Sequence, residues 1–437
     1  MLRRTGHRGP GVARAKCALM LRVARKAHIG SGLTGAWGRQ LRKVLEVVLI
    51  TVLAAVLLVS GIRLLAFPSD AAKSSFVVSV AGDYGAWNGF EDSLNQIQGS
   101  GSDFAIALGD LSYGGIAKPG FGTEEGWCRE FHAAFPNVEI IAGNHDTGDT
   151  LPGEGNISRF VQYCPFTLDA QVTGEYGRQY YFDYPRVNPI ARFILISPDL
   201  VFVVDDGEHY RYNIGTPRYI WTQDAIDGAR AAGIPWVIVG MHKNCIGAGE
   251  HACETGPDIL NLLLDRKVDL ILNAHTHNYE RTKQLALNAD TCAGMQLHVF
   301  NGNCIVDDGA DNLYKRGAGS VLVIAGTGGR DIASFNVSDP YAGYFAAWRG
   351  NETPGMGKGV VTFTVDTNRI SMVTHFNGTY SDGFSISGTG GGLVSASFSD
   401  ALPFAAPIGA GAIGLGFGGF LVWRMQREGK RLRDSDR

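Results

Sequence analysis

Five short runs of this sequence carry side chains that bind hard or borderline metal ions. They are Gly-Asp83-Tyr-Gly, Gly-Asp110-Leu-Ser-Tyr113, Gly-Asn144-His145-Asp146, Gly-Met-His242 and Asn-Ala-His275-Thr-His277. Carboxylate, phenol, amide and imidazole donors of this kind suit iron, zinc or manganese, and seven of them suffice for a pair of ions. Two ions some ~3.5–4 Å apart are a common device of hydrolytic enzymes. Read singly, each run is commonplace. Gly-Asp and Asn-His-Asp are ordinary turns, Tyr113 a packed aromatic, His242 a structural histidine, and His-x-His two rings on one face of a strand. Their occurrence together, in order and each after an apolar stretch, points to a hydrolytic centre.

Such a centre needs rigid elements ending at one place. Strands are expected at 76–81, 104–108, 138–142, 192–197, 236–239, 268–272, 321–325, 360–365 and 370–375, from β-branched and apolar runs bounded by turn residues. Helices are expected at 89–97, 216–232 and 257–264, the second with Thr216 as N-cap and Pro217 in its first turn. Strands alternating with helices predict an α/β layered fold with both sheet faces covered. The motifs follow strand C-termini, where open α/β sheets bind ligands. Loops 114–135 and 147–190 would shape the mouth, and Tyr163, Tyr176, Tyr180 and Tyr181 in the second would either stack a base or pack inside.

The motifs resemble those of the calcineurin-type metallophosphoesterases, in the branch of the purple acid phosphatases. The run His275-Thr-His277-Asn-Tyr279-Glu280-Arg281 matches that branch's His-x-His followed by Tyr-Glu-Arg, with Ala274 where the family usually has Gly. The resemblance implies a layered αββα sandwich in single-domain form, without the N-terminal β-sandwich of the plant-type enzymes. It implies that Asp83, Tyr113 and His277 bind a first metal, Asn144, His242 and His275 a second, and that Asp110 bridges them. The branch without the tyrosine uses a His two residues after the first Asp; that position is Gly85 here, so Tyr113 is the replacement ligand. A phenolate ligand favours Fe(III) at the first site, with Fe, Zn or Mn at the second. The implied reaction is hydrolysis of phosphate esters, foremost monoesters, by a metal-activated hydroxide. A phosphodiesterase acting on nucleotides, lipid head groups or wall polymers is the alternative, and a non-catalytic metal-binding surface module the rival from another class. His145 and His251 are the candidate proton donors, and Asp146 is expected to hold the His145 ring.

Composition sets the surroundings. Of 437 residues, 45% are hydrophobic and 19% charged, and the net charge of −3 gives no nucleic-acid-binding signal. Residues 1–43 form a basic leader without Asp or Glu. The run 44–65 is apolar enough for a transmembrane helix, and 402–423 for a second, followed by a basic tail at 424–437. A cleaved signal peptide would have an apolar region of only about 7–15 residues after a short basic region, so an uncleaved anchor is expected. Basic flanks place both termini in the cytoplasm and the catalytic part, 72–377, outside, with 378–401 as a Gly- and Ser-rich tether. Cys128, Cys164, Cys245, Cys253, Cys292 and Cys304 all fall in that external part, an even number that suits disulfides in an oxidising compartment. Sequence neighbours suggest 128–164, 245–253 and 292–304 among 15 possible pairings. Sequons stand at Asn156, Asn336, Asn351 and Asn377.

Overall fold

The structure is a computed structural model that describes residues 73–388, apart from 86–87, 116–122, 149–153, 204, 206, 252 and 353, together with Val48. Two large mixed sheets form among the described residues. In the first, β1 (Ser75–Ala81), β2 (Phe104–Leu108) and β3 (Val138–Ile141) run parallel. On the other side of β1 the sheet continues antiparallel through β15 (Gly359–Asp366), β16 (Arg369–Phe376) and β17 (Gly383–Ser387), and β12 (Leu313–Lys315) lies at its far edge. The second sheet is parallel at its centre, in the order β6 (Ala191–Ile196), β7 (Trp236–Met241), β8 (Leu270–Asn273) and β13 (Val321–Ala325). Antiparallel strands β4 (Thr173–Glu175) and β5 (Gln179–Tyr184) flank one side, and β9 (Tyr279–Thr282) and β14 (Phe345–Arg349) the other. A separate ribbon pairs β10 (Gln284–Leu285) with β11 (Ile305–Asp307).

Alternation along the strands builds two apolar layers. Phe76, Val78 and Val80 of β1 and Phe104, Ile106 and Leu108 of β2 meet Phe193, Leu195, Trp236 and Ile238 of the second sheet, which makes the contact between the sheets aromatic and dry. The rings of Phe104 and Phe193 lie 5.5 Å apart and nearly perpendicular. The opposite faces, Ala105 and Ala107 on β2 and Val237 and Val239 on β7, belong to the helix-side layer. Period two thus sends each strand's residues to two different cores, as buried sheets require.

Between Lys73 and Gly388, five helices among the described residues cover the outer faces: α1 (Asn88–Gly99), α2 (Glu124–Ala134), α3 (Ile157–Tyr163), α4 (Pro217–Ala231) and α5 (Pro257–Asp265). Phe90, Leu94 and Ile97 make the buried stripe of α1 at spacings of four and three. In α4, the Thr216 hydroxyl accepts the Tyr219 N–H, with Pro217 at the first position, as its sequence predicts.

Some expectations change. The segments 44–65 and 402–423, with the leader and tail beyond them, lie outside the described residues save Val48, and no helix among those described is long and apolar enough to cross a membrane. Within the stretch expected as a tether, Gly383–Ser387 instead form β17, burying Phe384 and Ile386 against β16 and β12. The loop 147–190 contains α3 and the β4–β5 hairpin, and its tyrosines are packed. Tyr180 is fully buried with its hydroxyl on the Ile140 carbonyl at 2.8 Å, and Tyr176 donates to Glu139 at 2.8 Å.

Two buried charges lend themselves to tests. Arg281, 3% exposed, is held by Asp382 through contacts of 2.8 and 3.1 Å, and Tyr279 donates to the same carboxylate at 2.7 Å. Asp382→Ala strands that guanidinium and should cost roughly 3–5 kcal/mol in denaturant unfolding. Glu139 is pushed up to about 7 from an ordinary 4.5 by burial, against the Tyr176 and Thr167 hydrogen bonds. In the folded state it therefore keeps a proton that the unfolded chain has already released. Its contribution is full below about 4.5 and is lost as pH rises through 7. Glu139→Gln should flatten that stretch of the melting-temperature-against-pH curve; an unchanged slope would assign the dependence elsewhere.

Candidate metal centre

All five motifs lie just beyond C-terminal strand ends: Asp83 after β1, Asp110 and Tyr113 after β2, Asn144 after β3, His242 after β7, and His275 and His277 after β8. The first four residues belong to one sheet and the three histidines to the other, so the centre spans the sandwich. Asp83, Asp110, Tyr113 and His275 have left-handed backbones, with φ of 59°, 51°, 50° and 69°. For non-glycine residues this conformation costs of order 1–3 kcal/mol each, and such strain collects at functional sites. Gly143 is required by approach: a Cβ there would lie 2.1 Å from the Asp110 Oδ1. Ala274 in place of the expected glycine leaves the turn intact. Its methyl fills the space over Gly82, where a Cβ would come within 2.4 Å of it, and its N–H still reaches the His242 carbonyl at 3.0 Å.

The donors gather in two groups. Asp83 Oδ1, Tyr113 Oη and His277 Nε2 form a triangle with sides of 3.1, 3.2 and 3.4 Å. Donors about 2.0–2.2 Å from a shared ion stand some 3.0–3.5 Å apart, so the triangle fits one cation. In the other group, His242 Nε2 lies 3.1 Å from Asn144 Oδ1 and 3.3 Å from Asp110 Oδ1. Donor atoms of Asp110, His242 and His275 lie within 4.8 Å of one another. Oxygen and nitrogen donors in two groups, with Asp110 beside both, fit a dinuclear metal centre.

Surrounding groups aim these candidate donors. His242 Nδ1 bonds the Leu108 carbonyl at 2.7 Å, which leaves Nε2 for the centre. The His275 backbone N–H holds Asp83 Oδ2 at 2.8 Å, turning Oδ1 to Tyr113 and His277. Burial works against ionised Asp83 and Asp110, but His277 and His242 hold Asp83 low and His242 with His145 holds Asp110 well below the usual carboxylate range. His242 is pushed up to about 9: burial opposes its charge, and Asp110 and Asp83 outweigh it. Tyr113 is held well above its ordinary range by burial and by the Asp110 and Asp83 carboxylates, while Arg330 lies over its ring at 4.7 Å.

The structure corrects the role of Asp146. It is fully buried, and its carboxylate accepts the N–H groups of Asp110 at 2.7 Å, Leu111 at 3.1 Å and Gly143 at 2.8 Å. It braces the motif backbones rather than the His145 ring. Asn144–Asp146 form a tight three-residue helical turn, on which successive side chains point about 120° apart. The His145 partner is Glu154, with Oε1 3.0 Å from Nδ1. His145 is 35% exposed, lies 4.5 Å from the Tyr113 ring, and has its Nε2 4.0 Å from Asp110 Oδ2. Burial opposes its charge, but Glu154 and Asp110 push it up to about 9. His251 also joins the centre, stacked on His275 at 3.7 Å. The loop that carries it is closed by Cys245–Cys253, and Cys128–Cys164 and Cys292–Cys304 form as the sequence suggests.

Glu254 was not foreseen. Its Oε1 lies 3.2 Å from His275 Nε2 and 3.6 Å from His251 Nδ1. Neither Glu154 nor Glu254 has a motif of its own; the one available signal is that ligand and acid histidines take a carboxylate on the second ring nitrogen.

Residues 70–279 match the calcineurin-like phosphoesterase family. The chain is 26% identical over 246 residues to purple acid phosphatase 21 of Arabidopsis thaliana, covering 54% of this chain and 52% of that protein. It is 23% identical over 209 residues to the Fe(3+)-Zn(2+) purple acid phosphatase 12 of the same plant, covering 46% and 40%. The chain thus spans about half the length of these relatives or less. Among solved structures, the purple acid phosphatase PPD1 of yellow lupin aligns with a TM-score of 0.49 and 19% identity, over 72% of this chain and 54% of that one. All five motifs lie on one rim of the sandwich and inside the matched residues 70–279, so that segment is a calcineurin-like phosphoesterase domain, and purple acid phosphatases are among its relatives.

Proposed function

We propose that this domain hydrolyses phosphate esters, foremost monoesters, at a two-metal centre. The observation that carries the reading is the pair of donor groups flanking Asp110, one with a phenol and one with an amide. Asp83, Tyr113 and His277 would hold one cation, Asn144, His242 and His275 the other, with Asp110 between them. When bound, the pair supplies Lewis acidity to a water and to the phosphoryl oxygens. His145 stands at the exposed rim, held by Glu154, where it can give a proton to the departing oxygen and steady charge on the equatorial oxygens. His251, stacked on His275, is the second donor at that rim. Three disulfides support an oxidising, extracytoplasmic setting, with 44–65 and 402–423 as membrane tethers.

A phenol held protonated by burial and two carboxylates gives up its proton only to a strong Lewis acid. This favours Fe(III) beside Tyr113, with Fe, Zn or Mn opposite. Tyr113→Phe should abolish the phenolate-to-iron visible band of the iron-loaded protein. An active iron-loaded wild type without any such band would refute the iron assignment.

The deciding assay compares an aryl phosphomonoester with the matching diester on the purified full chain supplied with iron and zinc or manganese. Faster monoester turnover supports the proposal. Turnover of the diester alone makes the domain a phosphodiesterase, and two bound metals with neither activity make it a binding module.

A further inference from the structure

The residue after the metal ligand His242 is a lysine that the reaction scheme leaves unused. Lys243 is 10% exposed, and its Nζ lies 2.6 Å from Glu254 Oε2 and 3.2 Å from Asp199 Oδ2. An ammonium so far from water is costly unless paired, and here two carboxylates pair it. Asp199 reaches the amine from a left-handed backbone with φ of 61°, and its other oxygen bonds His209 at 2.9 Å. The chain His209–Asp199–Lys243–Glu254–His275 therefore runs from the surface to a metal ligand.

We propose that Lys243 is a positioning residue: it fixes the Glu254 carboxylate and, through it, the His275 ring, and so sets the affinity of the Asn144–His242–His275 side of the centre. The inference rests on the two-metal reading above. Glu254 is itself about one-third exposed and faces both His251 and His275 through the same oxygen. Without a cation on Oε2, that carboxylate would be free to turn towards water. Loop closure does not require the lysine, since Cys245–Cys253 already joins the strands of the loop just inside the Lys243–Glu254 pair. Orientation of Glu254 is the task left to it. A carboxylate that orients a ligand histidine is typically worth ~10–100-fold in metal affinity. The opposite group, Asp83–Tyr113–His277, meets neither Lys243 nor Glu254; its link to His275 is through that residue's backbone N–H, not its ring.

The test uses the full chain as wild type, Lys243→Met and Lys243→Arg. Each is loaded with iron(III), then titrated with zinc(II) against a chelating dye, with metal content and visible absorption measured together. The expected result is that Lys243→Met keeps one iron and an unchanged visible band while zinc affinity falls ~10–100-fold, and that Lys243→Arg recovers most of the loss. Unchanged zinc affinity in Lys243→Met, or equal loss of both ions, overturns the proposal. Should Lys243→Met not fold, Asp199→Asn takes its place with a smaller loss of zinc affinity expected, and no change there overturns it too. A wild type that binds fewer than two ions instead refutes the two-metal reading on which the proposal rests.

Discussion

Asp110→Ala should reduce turnover to background and leave the purified protein with less than one bound ion per chain. Asp110 is the carboxylate beside both donor groups, 3.3 Å from His242 Nε2, and the residue whose Oδ1 also takes the His145 N–H at 2.9 Å. Its removal takes a negative charge from a pocket in which two bound cations would repel each other, so both sites should weaken at once. The backbone at Asp110 and Leu111 is held by Asp146, not by the Asp110 side chain, so the fold should survive. Far-ultraviolet circular dichroism with metal analysis on the same sample separates the two effects. A folded Asp110→Ala protein that keeps two metals and wild-type turnover would end the two-metal assignment.

His145→Ala should lower kcat by ~10²–10⁴ with both metals retained, the range for loss of a positioned proton donor. The His145 ring comes within 4.0 Å of Asp110 Oδ2 and 4.5 Å of the Tyr113 ring but is not one of the seven candidate donors, so none of them is lost with it. The loss should shrink for substrates with acidic leaving groups, which depart without a proton. Glu154→Gln should act in the same direction and more weakly, because it removes the charge of the ring's partner but keeps the ring. If His145→Ala is equally slow for alkyl and aryl esters, the residue stabilises phosphoryl charge instead of the leaving group.

The strands that carry ligands could be read from the chain because each is a short apolar run ending in a turn residue. The expected 104–108 and 321–325 coincide with β2 and β13. The candidate donors could be read too, since few residue types bind hard cations, and the structure brings these side chains together at one rim. Glu154, Glu254 and Lys243 could not, because they reach the centre through tertiary proximity and occupy unremarkable surroundings in sequence. Asp146 misled for a related reason: adjacency in a tight turn separates side chains instead of uniting them. β17 was hidden in a Gly- and Ser-rich stretch, and it is a strand because β16 and β12 supply its partners from elsewhere in the chain. Local propensity has little say in a five-residue strand with a neighbour on each side.

The aromatic layer between the sheets has a second consequence. The candidate donors on opposite sides of the centre hang from different sheets, so the thickness of that layer acts as a gauge block for the gap between them. Phe104 and Phe193, at 5.5 Å, are part of the block. Trimming either ring would let the sheets settle closer and shift Asp83, Asp110 and Asn144 relative to the three histidines. Displacements of about one ångström are enough to cost catalysis ~10²-fold. Metal affinity should therefore report on the packing of rings that touch none of the candidate donors, so the core of this sandwich would set a dimension as well as a stability.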